Sequence, residues 1–115
     1  MSSQITRCYA TGDAAGEWNA GGLVGLNQGQ ITACYATGAV TGAGDREGGL
    51  VGVNNGTVTA CFWDTETSGL STSAGGTGLG TALMQTESTF TDAGWDFVSV
   101  WHMLPEGSYP HLLSD

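Results

Sequence analysis

The chain has 115 residues, enough for one domain, and sets 11 acidic residues against two arginines and no lysine, for a formal charge of −9. A surface of that sign repels phosphate, which argues against nucleic acid and anionic membrane as partners. No apolar run approaches the roughly 18 residues of a membrane-spanning helix, so no membrane insertion is expected and the class is a single acidic β domain.

The first recognisable element, Ile5-Thr6-Arg7-Cys8-Tyr9-Ala10-Thr11-Gly12, returns 26 residues later as Ile31-Thr32-Ala33-Cys34-Tyr35-Ala36-Thr37-Gly38. Gly21-Gly22-Leu23-Val24-Gly25-Leu26-Asn27 returns 27 residues later as Gly48-Gly49-Leu50-Val51-Gly52-Val53-Asn54, followed by Val58-Thr59-Ala60-Cys61-Phe62-Trp63. The one-residue difference falls ahead of Gly21, which makes that stretch a loop. A fixed period of this length marks units that cannot bury their apolar sides alone and stack on their neighbours.

Within a unit the apolar residues come in short runs bracketed by glycine, not at helical spacing, and read as strands over 23–25, 31–36 and 39–41. Units stacked about 4.8 Å apart would superpose equivalent residues as ladders. The ladders are Ile5, Ile31 and Val58; Cys8, Cys34 and Cys61; Tyr9, Tyr35 and Phe62; Leu23 with Leu50; and Asn27 with Asn54. Strict alternation from Ile31 turns Ala33 and Tyr35 inward, yet the Ala33 column also holds Arg7, whose unpaired burial is costly. A bulge that turns Cys inward and Tyr outward is the preferred alternative. The three cysteines then form a ladder of small buried thiols in preference to a disulfide, because side chains on adjacent rungs run parallel.

Two and a fraction units make too short a stack to be stable alone, so the second half is expected to complete the core. Residues 68–80, mostly Ser, Thr and Gly, read as an irregular loop. A short helix follows with Thr81 as its N-cap, then strand pieces over 95–101, a turn at 105–107, and a tail from Tyr109 pinned by Leu112 and Leu113. Leu79, Phe90, Trp95, Phe97, Trp101 and Leu104 supply a cap over one open end. The expected fold is all-β: a short parallel β-solenoid of two to three coils of about 27 residues over 1–69, with an irregular cap containing one short helix over 70–115, the two forming one folding unit.

The pattern Gly-Gly-Leu-Val-Gly-x-Asn-x-Gly-x-Ile-x-x-Cys-Tyr-Ala-Thr-Gly-x-Val, from Gly21 to Val40 and less completely from Gly48 to Phe62, resembles the GLUG repeat. That repeat occurs in long bacterial surface and secreted proteins, among them filamentous-haemagglutinin-like adhesins and IgA-cleaving metallopeptidases, as a non-catalytic module. Cys61-Phe62-Trp63-Asp64, Gly75-Gly76-Thr77-Gly78-Leu79, Gly94-Trp95-Asp96-Phe97 and Tyr109-Pro110 resemble the segment that often closes such arrays. The resemblance implies a β-solenoid in an extracellular or cell-surface setting, and no catalytic residues. The first copy lacks its Gly-Gly-Leu-Val-Gly half, so the chain opens within a coil, and the absence of a signal peptide is uninformative.

Candidate sites are few. His102 and His111 match neither a hydrolase nor a zinc pattern, so no enzyme is expected. Calcium is the more plausible metal, at Asp64 and Glu66 or at Asp92 and Asp96, although solvated acids are the simpler reading and no cofactor is required. If outward, Tyr9, Tyr35 and Phe62 form an aromatic column beside the threonines Thr6, Thr32 and Thr59, which suits a surface glycan or a protein partner. The open first coil offers an unpaired strand edge to upstream repeats or to another copy. The expected role is a structural or adhesive module at the end of a larger bacterial surface protein, the alternative being a binding module for glycan or calcium.

Overall fold

A computed structural model describes residues 4–16, 19–42, 46–103 and 109–112. The expected turn at 105–107 and the apolar residues Leu104 and Leu113 lie outside these. The described chain is all-β, with fifteen short strands and three helices of four or five residues.

The first repeat contributes β1 (Gln4–Thr6), β2 (Tyr9–Ala10), β3 (Ala14–Gly16) and β4 (Asn19–Gly21). The second contributes β5 (Val24–Asn27), β6 (Gln30–Thr32), β7 (Tyr35–Ala36), β8 (Val40–Gly42) and β9 (Arg46–Gly48). The third contributes β10 (Val51–Asn54), β11 (Thr57–Thr59) and β12 (Phe62–Asp64). Beyond it come α1 (Thr65–Ser68), β13 (Thr77–Leu79), α2 (Thr81–Met84), α3 (Glu87–Thr91), β14 (Trp101–Met103) and β15 (Pro110–Leu112).

Equivalent strands of successive repeats pair in parallel and in register. β6 lies between β1 and β11, with Ile31 opposite Ile5 on one side and Val58 on the other. β7 lies between β2 and β12, with Tyr35 opposite Tyr9 and Phe62. β5 pairs with β10, β3 with β8 and β4 with β9 in the same sense. Each Asn of the Asn27 column closes its own turn, Oδ1 accepting the N–H of Gly29 at 3.0 Å or of Gly56 at 3.1 Å. Asn27 Nδ2 also donates to Asn54 Oδ1 at 2.8 Å, which joins two repeats through the same amides.

Ile31, Cys34, Ala36, Leu50, Val51, Cys61 and Trp63 form one buried cluster between the strands. Trp63 occupies the column of Ala36 and fills the last repeat. Its indole lies against Gly49, where a Cβ would come within 1.9 Å of the ring, so glycine there is a condition of the packing. Indole Nε1–H donates to the carbonyl of Leu70 at 2.9 Å.

The stretch 68–80 is irregular over 69–76, as expected, but it is paired to the third repeat and ends in a strand. Gly49 N–H donates to Thr72 O, Ala74 N–H to Val51 O and Thr77 N–H to Cys61 O, each at 3.0 Å. β13 then runs parallel to β12 with Thr77 opposite Phe62, an offset of 77 − 62 = 15 residues where the repeats use 27. A shortened rung therefore covers the third repeat. Backbone pairing and the Ser73 hydroxyl hold it, and Leu79 packs on the aromatic cluster that follows.

Two further expectations change. The expected helix forms as α2, but Gly80 is its N-cap and Thr81 its first residue. The strand expected over 95–101 survives only as β14, paired antiparallel with β15, because Asp96 Oδ1 accepts the N–H groups of Val98 and Ser99, each at 2.8 Å, and folds the chain into a turn. The aromatic segment does not cover an end of the stack. It lies along the side, where Tyr35, Phe62, Met84, Phe90, Trp95 and Trp101 form a second buried cluster.

Candidate functional site

The recurring geometry of the repeat centres on one bend. Arg7, Ala33 and Ala60 have φ of 55°, 55° and 53°, a left-handed conformation that costs a non-glycine residue about 1 kcal/mol or more. The bend breaks strict alternation, so Ile31 and the following Cys34 both enter the first cluster while Tyr35 enters the second. That is the bulge expected from Arg7, whose side chain is exposed.

The cysteines satisfy the bend. Cys8, Cys34 and Cys61 each donate Sγ–H to the carbonyl two residues back, on Thr6, Thr32 and Thr59 at 3.2, 3.2 and 3.1 Å. Two of the sulfurs also serve the preceding repeat: Cys8 N–H donates to Cys34 Sγ and Cys34 N–H to Cys61 Sγ, both at 3.4 Å. All three are free thiols. Contact with Cys61 and then burial push the Cys34 thiol well up, and burial followed by the neighbouring Cys34 raises Cys8, so both stay protonated at neutral pH. The spacing of cysteines in sequence shows a column, whereas their role as bend partners depends on a backbone conformation that spacing does not reveal.

The aromatic column, expected to face solvent, is core. Tyr35 is 0% and Phe62 7% exposed, and Tyr9 is half-buried. Tyr9 stacks on Tyr35 at 5.2 Å and 7°, Trp95 and Trp101 pack at 6.3 and 6.1 Å from the Tyr35 ring, and Phe90 meets Phe62 edge-on at 5.3 Å. Tyr35 donates its hydroxyl to the Pro110 carbonyl, and Trp95 Nε1–H donates to Ala60 O at 2.8 Å. The physical reason is area: rings turned out of the first cluster are covered by the aromatic second half of the chain. The threonines stay outside. Thr6, Thr32 and Thr59, with Gln4, Gln30 and Thr57, form an exposed uncharged face on β1, β6 and β11, separated by the bend from the rings they were expected to flank.

Three of the four calcium candidates, Asp64, Glu66 and Asp96, accept hydrogen bonds within the chain. Asp64 is fully buried and caps α1, its Oδ1 accepting the N–H groups of Glu66 and Thr67 at 2.8 and 3.1 Å. Its Oδ2 accepts the Thr81 hydroxyl at 2.7 Å and that of Tyr109. Burial pushes this carboxyl up, but the bonds from Tyr109, Thr81, Thr67 and Glu66 together hold it below the usual range. Burial and the Asp64 carboxylate raise Tyr109. Glu66 Oε2 accepts Thr81 N–H at 2.8 Å, while Asp92 is exposed and Asp96 closes its turn. Among the described residues no three His, Cys, Asp or Glu side chains converge as a metal site. His102 and His111 face each other across β14 and β15, ring centroids 6.2 Å apart.

Sequence reading missed Ser73. Leu23 and Val24 both donate their N–H groups to Leu50 O, at 2.9 and 3.1 Å. One repeat on, the N–H groups of Leu50 and Val51 donate instead to Ser73 Oγ, at 3.2 and 2.9 Å, and the hydroxyl donates to Val51 O at 3.1 Å. A side-chain oxygen thus stands where the next repeat would supply a carbonyl.

Residues 16–41, the span from β3 to β8, match the family model described as the GLUG motif. The chain carries a GLUG motif. The chain aligns with a relative from Evansella cellulosilytica named as a Gly-rich membrane protein, 40% identical over 113 residues that cover 96% of this chain and 10% of that protein. The chain therefore spans about a tenth of the relative's length. No solved structure matches. No helix among the described residues is long and apolar enough to cross a membrane.

Proposed function

We propose that this chain is a non-catalytic structural module that terminates a parallel β-solenoid of GLUG repeats within a larger extracellular bacterial surface protein. The observation that carries the reading is the finish of the third repeat: Ser73 Oγ takes the two N–H groups that Leu50 O takes one repeat earlier, and a shortened rung follows. Covering β12 in this way shields a strand edge that would otherwise recruit more strands, while β11 stays at the edge of its sheet. The surface setting is supported by the GLUG match and by a relative named as a membrane protein, of which this chain spans 10%.

The reading invokes no catalysis and no cofactor. The Asp64 and Tyr109 groups, which a cleft would need free, are spent on joining the third repeat to α1, α2 and the start of β15. Deletion of residues 70–112 is expected to abolish cooperative thermal unfolding and to expose Cys61 to thiol reagents. A truncated chain that melts like the parent would remove the terminator reading.

Adhesion is a second reading, favoured by one observation, the exposed uncharged face of Gln4, Thr6, Gln30, Thr32, Thr57 and Thr59. Glycan binding that is lost on Thr32→Ala and Thr59→Ala would support it. Binding lost only on Tyr35→Ala would not, because that ring is core.

A further inference from the structure

The last two strands form a sheet of their own. β14 and β15 pair antiparallel, with Trp101 opposite Leu112, His102 opposite His111 and Met103 opposite Pro110. Trp101 belongs to the aromatic cluster around Tyr35, and Met103 and Leu112 pack against it. Successive side chains of a strand alternate in direction, so His102 and His111 turn together to the other face of the pair. Directly opposed residues of antiparallel strands bring their Cβ atoms to about 4.5–5.5 Å. The two imidazoles accordingly meet with centroids 6.2 Å apart and planes at 68°, both half-buried, and the Tyr9 ring borders His111 edge-on at 5.8 Å.

We propose that His102 and His111 together bind one divalent transition-metal ion, of the zinc, nickel or copper class, as a clamp across β14 and β15. The geometry fits such an ion. Two metal–nitrogen bonds of about 2.0–2.1 Å reach about 4 Å end to end, and the half-widths of the two rings make up the rest of the 6.2 Å between centroids. A tetrahedral angle at the metal asks the rings to approach by about 1 Å, which small rotations about the side-chain torsions provide. Imidazole suits zinc, nickel and copper, whereas calcium and magnesium take oxygen ligands. Each ring has two nitrogens, so one can hold the metal while the other keeps a partner within the protein, the usual way a metal-bound histidine is oriented. Two protein ligands make this a clamp completed by water, distinct from a closed four-ligand structural site.

What the clamp would secure is β15. That strand has three residues, yet the Pro110 carbonyl accepts the Tyr35 hydroxyl, and Tyr109 just ahead of it reaches Asp64. Tying His111 to His102 holds these contacts over the aromatic cluster. In the unfolded chain the two histidines have no fixed relation, so the ion favours the folded state and adds stability as its concentration rises. The clamp is separate from the terminator, since it asks nothing of Ser73 or β13.

The test adds zinc ion to the untagged full chain, with calcium as the hard-cation control. Thermal melts and NMR of the histidine rings are read in the parent and in His102→Gln, His111→Gln and Cys8→Ala. Each variant is compared with its own metal-free midpoint, so that lost packing at the Tyr9 contact cancels. Zinc is expected to raise the parent's midpoint, to shift the ring signals of both histidines together, and to bind at least tenfold more weakly to either histidine variant, while Cys8→Ala responds as the parent does. No zinc response in the parent overturns the proposal. A full response in either histidine variant does so too, since the ion would then sit on one ring or elsewhere. Loss of the response in Cys8→Ala assigns zinc to that half-buried thiol, and an equal response to calcium assigns it to acidic side chains; each overturns the histidine pair.

Discussion

Single side chains do the work that whole strands do elsewhere in this molecule. Ser73 satisfies two N–H groups on fully buried residues, so Ser73→Ala leaves both without an acceptor and should cost about 1–3 kcal/mol in urea unfolding. Exposed Ser71→Ala is the matched control and should cost nothing measurable. Asp64 gives a pH prediction with a definite sign. Its folded carboxyl titrates below its unfolded value, so the stability it adds is whole above about pH 4 and is lost as pH falls through the lowered folded value. Tyr109 titrates above its ordinary value when folded, so its contribution is whole below about pH 10 and is lost as pH rises through the raised one. Urea midpoints measured across pH should show Asp64→Asn flattening the acid limb and Tyr109→Phe flattening the alkaline one. Limbs unchanged in both variants would separate this hydrogen bond from the pH response.

At the scale of elements, the aromatic second half is a lateral buttress. Trp95 and Trp101 pack 4.6 Å apart and against the Tyr35 ring, so either tryptophan to alanine should cost about 3–5 kcal/mol, a large share of a small domain's stability, and lower the thermal midpoint markedly. A thermal melt of either variant matching the parent would rule that out. Gly49→Ala should be comparably damaging through its contact with Trp63, whereas Gly12→Ala, with nothing within 4 Å of its added Cβ, should be silent. The strands of the repeats were legible in the sequence because identical side chains recur at a fixed offset, and Arg7 in the Ala33 column was enough to signal the bend. The shortened rung over 72–79 was not legible, because its pairing uses backbone groups that any residue offers and one serine hydroxyl among several in a Ser, Thr and Gly stretch. Nor was the burial of Tyr35 and Phe62: a period says that rings align, and says nothing of what later segment covers them. The Asp64 lock escaped for the same reason, since Thr81 and Tyr109 reach it from 17 and 45 residues away.

For the molecule as a whole, two clusters meet along the bend, one enclosed by the repeats and one shared between the repeats and the chain that follows them. A stack whose β12 is covered by β13 and which is buttressed on one side has a direction, which supports the proposed terminal module. That module depends on parallel, in-register pairing between repeats. NMR of the intact chain tests that most directly, through nuclear Overhauser contacts across β1, β6 and β11. The expected result links Ile31 to both Ile5 and Val58, with the Ala33 amide close to Thr59 and no short Hα–Hα contacts between these strands. Strong Hα–Hα contacts between them, the mark of antiparallel pairing, or an Ile31 with neither neighbour, would contradict it.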